Sequence, residues 1–290
     1  MLDTRNDPQR LLQIAIMCDR AGIDALWVRD SVPAAEGPSR DDAWTVLSAV
    51  AAQTQRARLG ALLIAGSRPA ALVATMARTL DAFAGGRLEL AISSRETTLG
   101  DYVRDVIRAL SGAADAAPTI TVEAATPREA EVAAEFADNV LIPAGAMTDA
   151  ALAVAAVRKA CAAVARPPGT LGIAVELPVS IGRTSAEALA RADAEPLFHQ
   201  LGQRVPAGII GRLEECQDRV IDLAHAGVTD LHCILPNVPD IQDVIAQLTA
   251  VVVGNRQVLT PGAPRSKAPD PPDAWGGRYD PKRPAADPAS

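Results

Sequence analysis

Residues 58–94, RLGALLIAGSRPAALVATMARTLDAFAGGRLELAISS, constrain the fold more than any other stretch. Leu59–Ala65 is an apolar run bounded by Gly66-Ser67, too short for an ordinary helix, and reads as a strand. Pro69 stands where a first helical turn tolerates proline, because the missing N–H would be unpaired there anyway. The helix is expected to run to about Phe83 and to stop at Ala84-Gly85-Gly86, where glycine takes the positive φ of a helix end. Leu88–Ile92 is the next buried strand. Two apolar strands joined by one helix make a parallel βαβ unit with a right-handed crossover. Such a unit presents its chemistry at the carboxyl ends of its strands, here Ala65-Gly66-Ser67 and Ser93-Ser94.

The same alternation runs through the rest of the chain. Pro8–Ala21 is an amphipathic helix closed by Gly22, and Asp24–Val28 is a strand followed by Asp30-Ser31. Asp41 or Asp42 caps the helix carrying Trp44, Val46, Leu47 and Val50. After Ser94 come a helix over Leu99–Leu110 and a strand over Thr119–Glu123. Thr126-Pro127-Arg128-Glu129 is a capping box opening a helix that ends near Ala137. Asn139–Ile142 is a strand ending at Pro143-Ala144-Gly145, and Asp149–Val164 is an alanine-rich helix. Leu171–Ile181 is a longer strand, and Thr184-Ser185-Ala186-Glu187 opens a helix to about Ala194. The pattern closes with a helix over Leu213–Ala226, a strand over Asp230–Leu235 and a helix over Ile241–Val251. Leu197–Gly208 carries no clear period.

Seven strands, nearly all followed by helices, define an α/β chain and favour a TIM-like (β/α) barrel. No GxGxxG follows any strand, which counts against a Rossmann nucleotide site. A full barrel needs eight strands, and the seven residues before Pro8 are too few and too polar to supply the first. The expectation is a barrel lacking its first strand: either the start lies upstream, or two edge strands need a cover or a partner. The barrel is placed at residues 1–258 and a Pro-rich tail at 259–290. From Thr260 on the tail has almost no aliphatic residues to offset chain entropy, so it is expected to be disordered.

A net charge of −7 argues against general nucleic-acid affinity. The four cysteines are far apart with no CxxC, so no metal site is expected and the thiols read as reduced. Asp3, Arg5, Asp7 and Arg10 break the first 20 residues as a secretion signal or membrane span, so the expected compartment is cytoplasmic, with no membrane contact.

Five stretches, in order, resemble the luciferase-like flavin-dependent oxidoreductases, the family of bacterial luciferase and of the deazaflavin (F420)-dependent reductases. They are AGIDALWVRD (Ala21–Asp30), DDAWTVLSAVAAQTQRARLGALL (Asp41–Leu63), RPAALVATMARTLDAFAGGRLELAI (Arg68–Ile92), AAEFADNVLIPAG (Ala133–Gly145) and GRLEECQDRVIDLAHAGVTDLHCIL (Gly211–Leu235). The resemblance implies a (β/α)₈ barrel holding FMN or F420 at the carboxyl ends of its strands. It also implies a small organic substrate, NAD(P)H or a flavin reductase as partner, and a homodimer. The chain is a trimmed version of that pattern. It has Asp30-Ser31 where members carry a polar pair such as Asp-His, and Ala91-Ile92-Ser93-Ser94 where they carry a Gly-rich turn. Thr126 replaces a glycine near the cofactor phosphate, and only Arg95–Gly100 stands where a long covering insertion belongs.

A flavin needs placement, polarity and exclusion of water rather than a nucleophile. The expected cofactor-binding residues are therefore strand-end groups: Asp30, Ala65, Ser93, Ser94, Thr126 and Gly145. Thr126 would add a hydroxyl to the positive end of its helix as a phosphate anchor, or it merely caps that helix. Gly145 would admit a phosphate to the backbone, or it is a turn glycine; Ser93 and Ser94 bond a cofactor edge or end a strand. Asp30 orients a substrate or caps its loop, and Arg95 pairs with an anion or is a solvated arginine. No histidine stands at a strand end, which excludes a Ser/His/Asp triad there. Two functions follow: a flavin- or F420-dependent oxidoreductase or monooxygenase, or a non-catalytic relative that partners a complete homologue.

Overall fold

The computed structural model describes residues 1–2, 7–30, 42–94, 98–111, 117–144, 146, 149–199 and 208–254. The tail expected over 259–290 lies outside them, as do Gly145 and Arg95. The chain alternates as the sequence suggests. The elements are α1 (Pro8–Ala21), β1 (Ala25–Arg29), α2 (Ala43–Gln53), β2 (Arg58–Ile64), α3 (Ala70–Ala84), β3 (Leu88–Ser93), α4 (Leu99–Leu110), β4 (Thr119–Glu123) and α5 (Pro127–Phe136). Then come β5 (Asn139–Ile142), α6 (Ala150–Ala163), β6 (Gly172–Ile181), α7 (Ser185–Ala194), α8 (Pro196–His199), β7 (Ile209–Gly211), α9 (Leu213–Ala226), β8 (Asp230–Ile234) and α10 (Ile241–Gly254). Pro69 sits one position outside its helix, as the N-cap of α3, and Gly85 closes that helix at φ 68°.

All the strand pairs are parallel, in the order β1 to β7, with β8 on β6. The long strand β6 carries both: its Ala174–Pro178 part pairs with β8 and its Val179–Ile181 part with β7. β7 is the one strand the sequence pattern does not show, because three residues are too few to display a period. The sheet curls as a TIM-like barrel lacking a strand. β1 pairs with β2 alone, and β7 and β8 each pair with β6 alone, so the sheet opens at β1 on one side and at β7 and β8 on the other.

Side chains alternate across the sheet. One set, including Leu26, Val28, Leu59, Ala61, Leu63, Leu90, Ile92, Val122, Val140 and Val175, joins the helices in the main core. The other set, Trp27, Leu62, Ala91, Leu141 and Ala174, forms a separate apolar layer inside the barrel. Trp27 lies over Gly60, its register partner, where a Cβ would stand 2.0 Å from the indole.

Candidate active site at the carboxyl ends of the strands

The residues two places beyond the interior apolar layer point the same way, one step closer to the carboxyl ends. They are charged. Arg29 on β1 donates through Nη1 to Glu123 Oε2 on β4 at 2.9 Å, and through Nη2 to Glu176 Oε1 on β6 at 2.9 Å. The second Glu176 oxygen accepts the Ala144 N–H at the end of β5, at 3.4 Å. One guanidinium thus bridges strands from opposite sides of the barrel. The Arg29 side chain is 42% exposed while those of Glu123 and Glu176 are 15% and 5% exposed, so the arginine is the member open to the mouth. Burial pushes the Glu123 carboxyl up from its ordinary range, against the pull of Arg29.

A second ion-pair group lies at the ends of β1 and β2. Arg68 pairs with Asp30 and with Asp42, and Tyr102 Oη on α4 donates to the Arg68 carbonyl at 2.8 Å. Asp30 is buried and also accepts the Ala43 N–H at 3.4 Å. Its carboxylate therefore fastens the start of α2 to Arg68.

The other expected site residues fall as follows. Ala65 follows β2 and donates its N–H to Ser93 O at 2.8 Å. Ser93 is buried at the end of β3 and its hydroxyl donates to Leu63 O at 3.0 Å; Ser94 follows it, half-buried. Thr126 is the N-cap of α5 in a complete capping box. There the Glu129 carboxylate accepts the N–H groups of Ala125 and Thr126 and the Thr126 hydroxyl, at 2.8–2.9 Å. Glu129 thus holds the N-cap N–H and the one before it, as the glutamate of a capping box does.

The structure brings Asp30, Ala65, Ser93 and Ser94 to one rim and ends β4 beside it. Sequence reasoning missed Arg29, Glu123, Glu176 and Arg68. The available signal was Glu176, a charge in the middle of the apolar run LGIAVELPVSI. Such a residue is buried only with a partner. Among the described residues no group of three or more His, Cys, Asp or Glu gathers to hold a metal, and no helix is long and apolar enough to cross a membrane.

Two comparisons bear on this geometry. A sequence profile described as luciferase-like monooxygenase matches residues 1–100, the part holding β1, β2, β3 and the Asp30–Arg68 pair. Over those residues the chain is similar to the luciferase-like monooxygenases. Solved structures extend the likeness in fold over most of the chain. The F420-dependent tetrahydromethanopterin reductase from Methanopyrus kandleri is 15% identical, with 86% of this chain and 96% of that one covered at a TM-score of 0.66. An F420-dependent secondary alcohol dehydrogenase, in complex with an F420-acetone adduct, is 15% identical over 88% and 96% at 0.70. A riboflavin lyase with modified FMN and riboflavin is 13% identical over 87% and 86% at 0.68. At these identities the structures establish a shared fold. No curated protein matches the chain by sequence.

Proposed function

We propose that the chain is a flavin- or F420-dependent oxidoreductase that holds its cofactor at the carboxyl ends of β1–β6 and acts on a small organic substrate. The observation that carries this reading is the open Arg29 guanidinium, held by two carboxylates in the barrel mouth of a chain whose first hundred residues match a luciferase-like monooxygenase profile. Neighbours of the same fold are named for F420 and for FMN, which leaves both as candidates. Such a cofactor would supply the hydride or oxygen chemistry. The protein would contribute a polar floor: Arg29 to donate to a ring edge, Glu123 to accept, and Ser93 and Ser94 along the rim. Asp30, Ala65, Thr126 and Gly145 stay within the proposed site as its border. NAD(P)H or a flavin reductase would renew the reduced cofactor, in a cytoplasmic homodimer.

The mouth fits the ring of such a cofactor better than its phosphate. Arg68 is already bound to two aspartates, and Glu129 holds the N-terminus of α5. The Glu129 contact favours a second reading, a non-catalytic relative that partners a complete homologue.

The test is visible absorbance of the purified protein, followed by fluorescence titration with FMN and with F420. Binding that weakens about tenfold in Arg29→Lys, which keeps the charge but loses the fork, supports the site. No quenching by either cofactor up to millimolar concentration overturns it. Binding without turnover on NAD(P)H or reduced F420 selects the second reading.

A further inference from the structure

In a parallel βα sheet each helix that follows a strand starts at the carboxyl end, so its unpaired N–H groups face the mouth. Those helix starts are where such folds hold phosphates. Here the described starts carry carboxylates of their own. Asp42 accepts the Thr45 N–H in the first turn of α2 at 2.9 Å, and Asp149 accepts the Leu152 N–H in α6 at 2.8 Å. Glu187 accepts the Arg183 N–H ahead of α7 at 3.1 Å, and Glu215 accepts the Arg212 N–H ahead of α9 at 3.0 Å. At α5, Thr126 and Glu129 satisfy three N–H groups and Pro127 has none, which leaves that of Arg128 in the first turn. α3 and α4 start without a side-chain cap. The first follows Arg68, which Asp30 and Asp42 already hold, and the second has Asp101 in its first turn.

The cations are equally committed. Arg29 and Arg68 each pair with two carboxylates. The one lysine among the described residues, Lys159, lies in the C-terminal half of α6, away from the mouth. A phosphate ester carries about −1.5 to −2 charge and needs donors or cations. At the described helix starts it would meet carboxylates instead. A ring edge and a polyol meet a better match. Arg29 uses one N–H of each Nη on its two carboxylates and retains others for a ring carbonyl. Glu123 accepts Arg29 through Oε2 and retains Oε1 for a ring N–H or a hydroxyl. Polyol hydroxyls donate to carboxylate oxygens, whereas a phosphate is repelled by them.

We propose that the mouth takes a ribityl flavin without its phosphate, riboflavin being the simplest, and discriminates against phosphorylated flavins by charge. This rests on the flavin-site reading given above and narrows its ligand to a neutral one. The discrimination comes from carboxylates that already serve the protein as helix caps and arginine partners, so the residues that build the rim also set its specificity.

The test is fluorescence titration of the full chain with riboflavin, FMN and F420, at low and at high salt. Riboflavin is expected to bind about tenfold more tightly than FMN at low salt, and the gap should narrow at about 0.5 M salt as screening shortens the reach of the carboxylates. The double variant Glu129→Gln, Asp149→Asn removes two charges and keeps both caps, since Gln serves in a capping box and Asn as an N-cap. It should tighten FMN by about fivefold and leave riboflavin within about twofold, the second value showing that the site is intact. FMN or F420 binding as tightly as riboflavin to the parent at low salt overturns this proposal and leaves the flavin reading standing. FMN affinity unchanged in the double variant overturns it too. Quenching by none of the three overturns both.

Discussion

Gly60 and Trp27 are one packing decision made at two positions. The indole fills the space that a side chain at residue 60 would need, and the nearest ring atom would stand 2.0 Å from a new Cβ. Gly60→Ala is expected to cost about 2–3 kcal/mol in urea unfolding, in the range of overpacked cores. Combined with Trp27→Leu it should cost less than the two single changes added together, because the smaller side chain removes the collision. Arg29 is the electrostatic counterpart. Replacing it with Met leaves Glu123 and Glu176 in the barrel with no cation at 2.9 Å. A fully buried pair broken in this way loses about 3–5 kcal/mol; the partial exposure of Arg29 reduces the expectation to about 2 kcal/mol. The sign with pH follows from Glu123, which burial already raises above 4.5 and which rises further without Arg29. The folded variant then holds a proton that the unfolded chain has released, so its stability falls as pH rises above the unfolded value. The gap between Arg29→Met and the parent should be wide at pH 7 and narrow near pH 4, read as the difference in Tm.

At the scale of elements, Asp19 shows how helix and sheet are locked. It ends α1 with its carboxylate buried, and it accepts the N–H groups of Gln55, Arg56 and Ala57 at 3.2, 2.9 and 2.7 Å. Burial alone would raise its pKa; the three backbone donors together outweigh it and hold the carboxyl below its usual value. Its stabilisation is present above pH 3.8 and is lost as pH falls through the lower folded value. Asp19→Asn should destabilise by about 2–3 kcal/mol at pH 7, as loss of charge-assisted bonds does, with the difference shrinking in acid unfolding titrations. None of this is visible in sequence, because Asp19 meets partners 36–38 residues away. The elements themselves were legible. The bounds of α1 and the capping box at Thr126 follow from local signals, a glycine at φ 80° and a glutamate three residues on. The site was legible only where chain order places strand ends. Asp30 and Ser93 arrive at the rim on that logic, but the pairing of Arg29 with Glu123 and Glu176 joins residues 94 and 147 apart, which only the curl of the sheet brings together.

The whole molecule has a pH window set by buried groups that fold in their neutral forms. His232 lies in the barrel interior, its ring 4.6 Å from that of Trp27, and its Nδ1 has no partner among the described residues. Burial, with lesser pushes from the Met1 amine, Arg58 and Arg29, brings its pKa from 6.5 down to about 3. Between those values the unfolded chain binds a proton that the folded chain does not, so stability is lost as pH falls below 6.5. The Met1 amine, lowered from 8.0 by burial, adds a loss of the same sign that begins below pH 8. On the alkaline side burial raises Cys18, Cys216 and Cys233 from 9.0 to about 11, so the unfolded thiols ionise first and stability falls above pH 9. The expected profile is a maximum at about pH 8–9, a shallower decline to 6.5 and a steeper one below it, each group adding at most about 1.4 kcal/mol per pH unit. The raised carboxyls of Glu89 and Glu123 oppose that slope only above their unfolded value of 4.5, where they level the profile in part. His232→Leu removes the titrating ring while leaving an apolar side chain against Trp27. Tm measured from pH 5 to 6.5 should keep only the slope that the Met1 amine contributes in that variant; a slope equal to that of the parent would assign the acid sensitivity to other groups.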